Sequence, residues 1–329
     1  MFDFSPAWFL PHPHLQTVWG RLARPRKLVS FRRESLTLPD GDELLVDHLD
    51  APVTAPDPLH FILMHGLEGS SYSVYMQGIL AVIARHGHRA TAINFRSCAR
   101  DPRQLSRSIP NRRPRYYHSG DTADFDFVLR TLAARNPSQR FAAFGASLGG
   151  NVVLKWLGEH PGQLLVAAAS TLSVPYDLGA GARHMEKTRA GRLYLAQFLV
   201  TLRKKAMRAD IMPLLDLDAV RRARTFVEFD DIATAPLHGF ADANDYYARS
   251  SSIHFLDRID TPVLALNAED DPFLPREILP RARHAASAAV DFRTTPCGGH
   301  VGFVGGRAPW KCEYWAEELV VRWITERTA

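Results

Sequence analysis

The serine at position 147 stands in a sequence that could make it a nucleophile. Residues 145–149 match the pattern Gly-x-Ser-x-Gly, directly after an apolar stretch and directly before a helical one. Small neighbours such as Gly145 and Gly149 let a strand and a helix approach around a strained turn, and the helix N-terminus favours negative charge beside the serine. The same residues also fit a glycine-rich helix start whose serine is an ordinary cap.

A base and an acid for such a serine occur later in the chain. His300 lies in the glycine-rich segment 298–303, and its ordinary pKa near neutrality suits a general base. The turn at 267–275 offers two adjacent carboxylates, Asp270 and Asp271, either of which could orient the histidine. Each of the 14 histidines could instead be a surface or packing residue, and adjacent aspartates are usually a solvated turn. The order serine, aspartate, histidine, each after a predicted strand, favours the catalytic interpretation.

An acyl-transfer site also needs donors for an oxyanion. The backbone N–H of Leu148, directly after the serine, is one candidate. Residues 65–69 follow another apolar strand and contain two glycines, so the N–H of Leu67 is the second candidate. In isolation, this loop also fits a plain strand-to-helix turn.

Strands and helices alternate along the chain, which predicts an α/β fold: a mostly parallel, doubly wound sheet covered on both faces. The predicted strands are 28–38, 43–49, 59–64, 88–95, 140–145, 164–172, 261–266 and 289–293. The predicted helices are 74–86, 121–134, 148–159, 194–207, 211–225 and 310–324, the second of them capped by Asp121 or Ser119. The alternation stops between 175 and 250, where we expect a helical cap, or lid, inserted in a single catalytic domain of residues 1–329.

Composition limits the class of protein. Hydrophobic residues make up 46% and charged residues 23%, as in a soluble globular enzyme. No apolar run reaches the roughly 18 residues that a membrane-spanning helix needs, and the N-terminus does not resemble a signal peptide. The three cysteines, Cys98, Cys297 and Cys312, lack metal-binding spacing, and their odd number argues against a disulfide framework. We therefore expect a cytoplasmic protein without a metal; Cys297, although near His300, is interpreted as a packing residue.

Seven arginines lie between positions 96 and 115. At the edge of a site they would attract anionic substrates, whereas the simpler alternative is a solvated loop paired with nearby acids. A role in nucleic-acid binding is not expected, because no stacking-aromatic motif accompanies the arginines. The aromatic cluster Phe2, Phe4, Trp8 and Phe9 could support peripheral membrane contact, but an arm packed on the core is the preferred interpretation.

The chain resembles the YheT-like α/β-hydrolases, predicted esterases related to the ABHD lipid hydrolases. The resemblance covers nearly the whole sequence and is carried by residues 14–17, 38–41, 65–69, 117–122, 147–151, 228–231, 245–247, 270–273 and 298–303. It implies the α/β-hydrolase fold and a triad of Ser147, His300 and Asp271 or Asp270, with no metal and no organic cofactor. Asp271 is favoured because an aspartate four residues before a proline, here Pro275, is the commoner arrangement in the superfamily.

Two positions depart from the pattern of this family. Ser97 stands where the family usually has glycine, and Ala146 stands where it usually has tyrosine. Neither change affects the triad, but both bear on the shape of the pocket and hence on acyl preference.

The function expected from these residues is hydrolysis of carboxylic esters, short- to medium-chain or lipid-like, through an acyl-enzyme. The same residues could cleave thioesters or amides. The alternative from another class is a non-catalytic lipid-binding scaffold. The sequence leaves the acyl chain length and the oligomeric state open.

Overall fold

A central sheet organises the molecule, for which the computed structural model describes residues 4–329. The strands within those residues are β1 Phe31–Thr37, β2 Glu43–Leu49, β3 His60–Met64, β4 Arg89–Ile93, β5 Arg100–Asp101, β6 Gln104–Ser108, β7 Phe141–Ala146, β8 Val166–Leu172, β9 Val263–Ala268, β10 Val290–Thr295, β11 Val304–Ala308 and β12 Lys311–Tyr314. Eight of them form one sheet in the order β1-β2-β4-β3-β7-β8-β9-β10. Strands β3, β4 and β7 to β10 run parallel, whereas β1 and β2 are antiparallel additions at one edge. The expected mostly parallel sheet is therefore confirmed.

Helices cover both faces of this sheet. The α-helices of the described chain are α1 Pro13–Ala23, α2 Val74–Arg85, α3 Ala123–Arg135, α4 Leu148–Glu159, α5 Leu178–Lys187, α6 Arg189–Ala206, α7 Leu217–Arg222, α8 Phe226–Phe229, α9 Ala235–His238, α10 Ala243–Ser250, α11 Ile278–Ala285 and α12 Trp315–Thr328. No helix within residues 4–329 is long and apolar enough to cross a membrane.

Alternation along β3 shows how the sequence builds the two layers. Ile62 and Met64 join the core beneath α3 and α4, while Phe61 and Leu63 join the core beneath α2 and α12. All four side chains are fully buried. Because successive side chains of a strand point to opposite faces, a strand buried on both faces must be apolar at every position.

The segment 175–250 lies between β8 and β9, and we call it the cap segment. It contains α5 to α10 and a π-helix, Asp230–Thr234. Its helices share a separate apolar core that includes Leu195, Leu199 and Phe229. The cap segment is thus packed mainly around its own side chains, with Tyr116 joining them from outside the segment.

Several predicted boundaries differ from the structure. The prediction of one helix over 211–225 is wrong, because Pro213 falls in a short 3₁₀ turn and the Asp216 side chain caps a new helix, α7. The predicted capping of α3 by Asp121 or Ser119 is also wrong, since the helix follows Thr122 and Asp121 accepts from Arg115 instead. The predicted helix 310–324 begins only at residue 315, after the hairpin of β11 and β12.

The N-terminal arm packs against the C-terminal part of the chain. Phe4 contacts the rings of Phe303 and Trp315, and Leu10 is buried in a cluster with Val304. Trp8 remains 74% exposed. Phe2 of the predicted aromatic cluster lies outside the described residues.

Candidate active site

Ser147 occupies a sharp turn between β7 and α4. Its φ of 52° lies in the left-handed region, which costs a residue with a side chain on the order of 1–3 kcal/mol. Glycines make the turn possible, because a Cβ on Gly145 would overlap the Gly149 carbonyl and a Cβ on Gly149 would overlap the Met64 carbonyl. The strained turn lifts the serine out of the sheet edge and starts α4 directly behind it.

The imidazole of His300 reaches this serine. Its Nε2 lies 2.9 Å from the Ser147 Oγ, and its Nδ1 lies 2.8 Å from the Asp271 Oδ2. The ring of Phe273 packs over the imidazole with 4.2 Å between centroids. The three residues Ser147, His300 and Asp271 thus form one continuous hydrogen-bond chain.

The two adjacent aspartates make different contacts. Asp271 is buried, and its second oxygen accepts from the Phe273 N–H at 2.9 Å. Asp270 points the other way and accepts from the backbone N–H of Gly299 at 2.9 Å. Burial, together with the Asp271 charge, raises the pKa of Asp270 above its ordinary value. Asp271 therefore contacts the imidazole ring, whereas Asp270 holds the backbone of the loop that carries it.

Helix α1 holds the same loop from the other side. The Thr17 hydroxyl accepts from the His300 N–H at 2.9 Å and donates to the Pro13 carbonyl at 2.8 Å. The Gln16 side chain donates to the Val304 carbonyl and accepts from its N–H. Sequence reasoning assigned no role to Gln16 or Thr17, although the block 14–17 that carried the family resemblance marked the place.

The backbone N–H groups of the two predicted oxyanion donors, Leu67 and Leu148, have no hydrogen-bond partner among residues 4–329. Both residues line the cavity that contains Ser147. The amides that flank Leu67 are fixed, since Gly66 donates to the Tyr75 hydroxyl and Glu68 to the Tyr117 hydroxyl, each at 2.7 Å. The loop thus keeps one donor free beside the serine, as an oxyanion site requires.

Comparisons with known proteins identify the family of this chain. A family model described as the alpha/beta hydrolase fold matches residues 60–306. The chain is 36% identical to YheT of Escherichia coli (strain K12), an esterase by name, over 98% of this chain and 93% of that protein. The chain belongs to the YheT-like α/β hydrolases.

Two further proteins resemble this hydrolase, one in sequence and one in fold. Phospholipase ABHD3 of Mus musculus is 29% identical over 91% of this chain and 72% of its own length. The solved esterase Pf2001 of Pyrococcus furiosus has a TM-score of 0.56 and 17% identity, with 92% of each chain covered. The latter likeness concerns the fold alone.

Ser147 and His300 lie in the wall of a cavity of about 680 Å³. Its lining is mostly apolar and includes Leu178, Met185, Phe198 and Phe226 of the cap segment. The cap segment therefore supplies much of the surface that a substrate would touch.

A buried ion pair joins the cap segment to the loop of Leu67. Glu68, with a φ of 57°, accepts from Lys205 at the end of α6 and from the Tyr117 hydroxyl. Burial alone would raise the pKa of Glu68, but Lys205 holds it below its ordinary value. The lysine also lies 3.0 Å from the Cys98 sulfur. Sequence reasoning missed this pair, because 137 residues separate its members.

The arginines of the segment 96–115 have different surroundings. Arg96 is buried between Asp42 and Asp124, while Arg112 pairs with Glu43. Others make separate contacts: Arg115 pairs with Asp121, and Arg113 donates to the Asp40 carbonyl. Arg100 lines the cavity, and Arg103 and Arg107 are exposed. Acids therefore neutralise part of the cluster.

The two departures from the family pattern, Ala146 and Ser97, have different surroundings. Ala146 is fully buried in β7. Ser97 adopts a φ of 65°, where glycine would be unstrained, and its hydroxyl contacts the Asn111 side chain and accepts from Arg208 at 2.9 Å. The serine thus links the arginine-rich segment to the cap segment at the cost of backbone strain.

The three cysteines are free, and residues 4–329 contain no cluster of His, Cys, Asp or Glu that could hold a metal. Burial raises the pKa of the Cys297 thiol above its ordinary value. A raised pKa lowers the thiolate fraction, which agrees with a packing role.

Proposed function

We propose that this hydrolase is a serine esterase that cleaves carboxylic esters with short- to medium-chain or lipid-like acyl groups. The observation that carries the proposal is the hydrogen-bond chain from Ser147 through His300 to Asp271 at an apolar cavity. The esterase and phospholipase names of the relatives support the same general class.

In the proposed reaction, the Ser147 Oγ attacks the ester carbonyl while His300 Nε2 takes its proton. The N–H groups of Leu67 and Leu148 bind the oxyanion of the tetrahedral intermediate. His300 then gives the proton to the alcohol, which leaves, and an acyl-serine remains. A water molecule, deprotonated by His300, attacks the acyl carbon and releases the carboxylic acid and the serine. Asp271 holds the imidazole in the correct tautomer throughout.

The cavity favours substrates that carry an apolar acyl group. Its volume of about 680 Å³ lies in the usual range for small-molecule sites, and aliphatic and aromatic side chains line it. We also propose that the cap segment acts as a lid, because it forms one wall of this cavity and packs around its own core.

A matched pair of variants tests the proposed nucleophile. Ser147→Ala should lower turnover of p-nitrophenyl esters by about 10⁴- to 10⁶-fold without changing the unfolding midpoint. Ser138→Ala, at an exposed serine that precedes β7, the strand that Ser147 follows, is the control and should behave as the parent protein. A fluorophosphonate probe should label the parent protein only at Ser147. Labelling at another residue would refute the assignment of Ser147 as the nucleophile.

A substrate screen tests the chemical class. Esters of increasing acyl length, with matched thioesters and anilides, should show the highest kcat/KM for esters. A preference for thioesters or amides would keep the nucleophile but change the function. Absence of turnover and of labelling would favour the lipid-binding scaffold.

A further inference from the structure

A second polar site lies in the wall of the same cavity, within the cap segment. Asp230, Thr234 and Tyr247 all line the cavity that contains Ser147. The Thr234 hydroxyl donates to Asp230 Oδ1 at 2.6 Å, and the Tyr247 hydroxyl donates to Oδ2 at 2.7 Å. Tyr116 extends the network, with its hydroxyl 3.5 Å from that of Thr234. These contacts place a hydroxyl-supported carboxylate at the surface of a cavity whose lining is mostly apolar.

The carboxylate of Asp230 has unused hydrogen-bonding capacity. An ionised carboxylate offers about four acceptor positions, and the two hydroxyls occupy two of them. Within residues 4–329, no lysine, arginine or histidine pairs with Asp230, unlike the buried Glu68. Burial, with a smaller contribution from Asp231, raises the pKa of Asp230 to about 6. A carboxylate in this position is stabilised by any donor that enters the cavity.

The backbone at this point is unusual as well. Asp230 to Thr234 form a π-helix between α8 and α9, in which the Asp230 carbonyl accepts from Ala235. π-Helical turns are rare and frequently occur at functional sites. Here the turn brings Thr234 and Asp230 into contact on the side that lines the cavity.

We propose that Asp230 is a substrate-binding residue that receives a hydroxyl or ammonium group of the ester, remote from the bond that is cleaved. The substrate class is then an ester with an apolar acyl chain and a hydrogen-bond donor, not a purely hydrocarbon ester. This inference rests on the proposed function, because it places the group in the same cavity as Ser147.

Matched ester series test the proposed site. In each series the far end of the acyl chain or of the alcohol chain is a methyl, hydroxyl or ammonium group, over several chain lengths. The parent protein should prefer a hydroxyl or ammonium member over its methyl counterpart by about 10- to 100-fold in kcat/KM, as a hydrogen bond to a charged acceptor allows. Asp230→Asn should reduce this preference by a similar factor, most strongly for the ammonium ester.

The neighbouring carboxylate provides the matched control. Asp231 is exposed, and its oxygen accepts from the Ala243 N–H, a bond that the amide oxygen of Asp231→Asn can replace. This variant should keep the preference of the parent. Measurement of the parent protein alone already tests the proposal if Asp230→Asn does not fold.

The outcomes separate this inference from the proposed function. No preference for donor-bearing esters in the parent protein would overturn the role of Asp230, as would an equal loss on all esters in Asp230→Asn. Full activity of Ser147→Ala on the methyl esters would instead overturn the proposed esterase mechanism. Comparing the hydroxyl esters with the ammonium esters of each series shows which of the two donor groups the site prefers.

Discussion

Replacing Lys205 by methionine should strongly destabilise the fold, because it leaves the Glu68 carboxylate buried without its cation. Their side chains are only 9% and 8% exposed. Removing one partner of a buried pair costs about 3–5 kcal/mol, because an uncompensated charge remains. The Tyr117 hydroxyl still donates to Glu68, which favours the lower part of that range. We therefore expect the free energy of unfolding to fall by about 3 kcal/mol or slightly more.

Denaturation by urea, followed by circular dichroism, measures this change. In Glu68→Gln/Lys205→Met both charges are absent, so the double variant should be about 2 kcal/mol more stable than the sum of the single changes predicts. Arg221→Met is the control: its pair with Asp218 is 58% and 72% exposed, and its loss should cost less than about 0.5 kcal/mol. A cost below about 1 kcal/mol for Lys205→Met, or additive single changes, would refute the reasoning.

Three further predictions concern the site. Asp271→Asn should lower kcat by about 10⁴-fold, since the wrong imidazole tautomer is held, whereas Asp270→Asn should be much milder; the reverse order in steady-state kinetics would transfer the orienting role. Thr17→Val should reduce kcat by about tenfold with little change in the unfolding midpoint, because the His300 N–H loses its acceptor; unchanged kcat would show that the loop needs no such support. Arg100→Gln should lower kcat/KM for an anionic ester but not for its neutral counterpart at low salt, and an equal response of both esters would exclude steering by this arginine.

The positions of the three central residues follow from the sequence because parallel strands end at one edge of a sheet. Ser147, Asp271 and His300 each come after a predicted strand, and the crevice at that edge is where such ends meet. Glycine patterns around the serine and the histidine identified the turns. The local sequence pattern and the order of residues along the chain were therefore sufficient to predict the site residues that lie after strand ends.

Contacts between distant segments could not be predicted in this way. Chain order alone left both Asp270 and Asp271 open as the partner of His300, and only the family resemblance favoured Asp271, which the structure places 2.8 Å from the imidazole. The pair of Glu68 and Lys205 depends on how α6 packs on the sheet. Hydrophobic periodicity over 211–225 favoured one helix, whereas capping by Asp216 divides the segment.

The contact of Thr17 with His300 has a consequence for biosynthesis. The two residues are 283 positions apart, so a ribosome adding about 5–20 residues per second makes the histidine roughly 15–60 s after the threonine. Ser147 is synthesised within that interval, so the growing chain contains Thr17 and then Ser147 before it contains His300. Under the proposed mechanism, a nascent chain therefore carries a serine that cannot yet attack an ester, and reactivity requires that the two distant parts of the polypeptide meet.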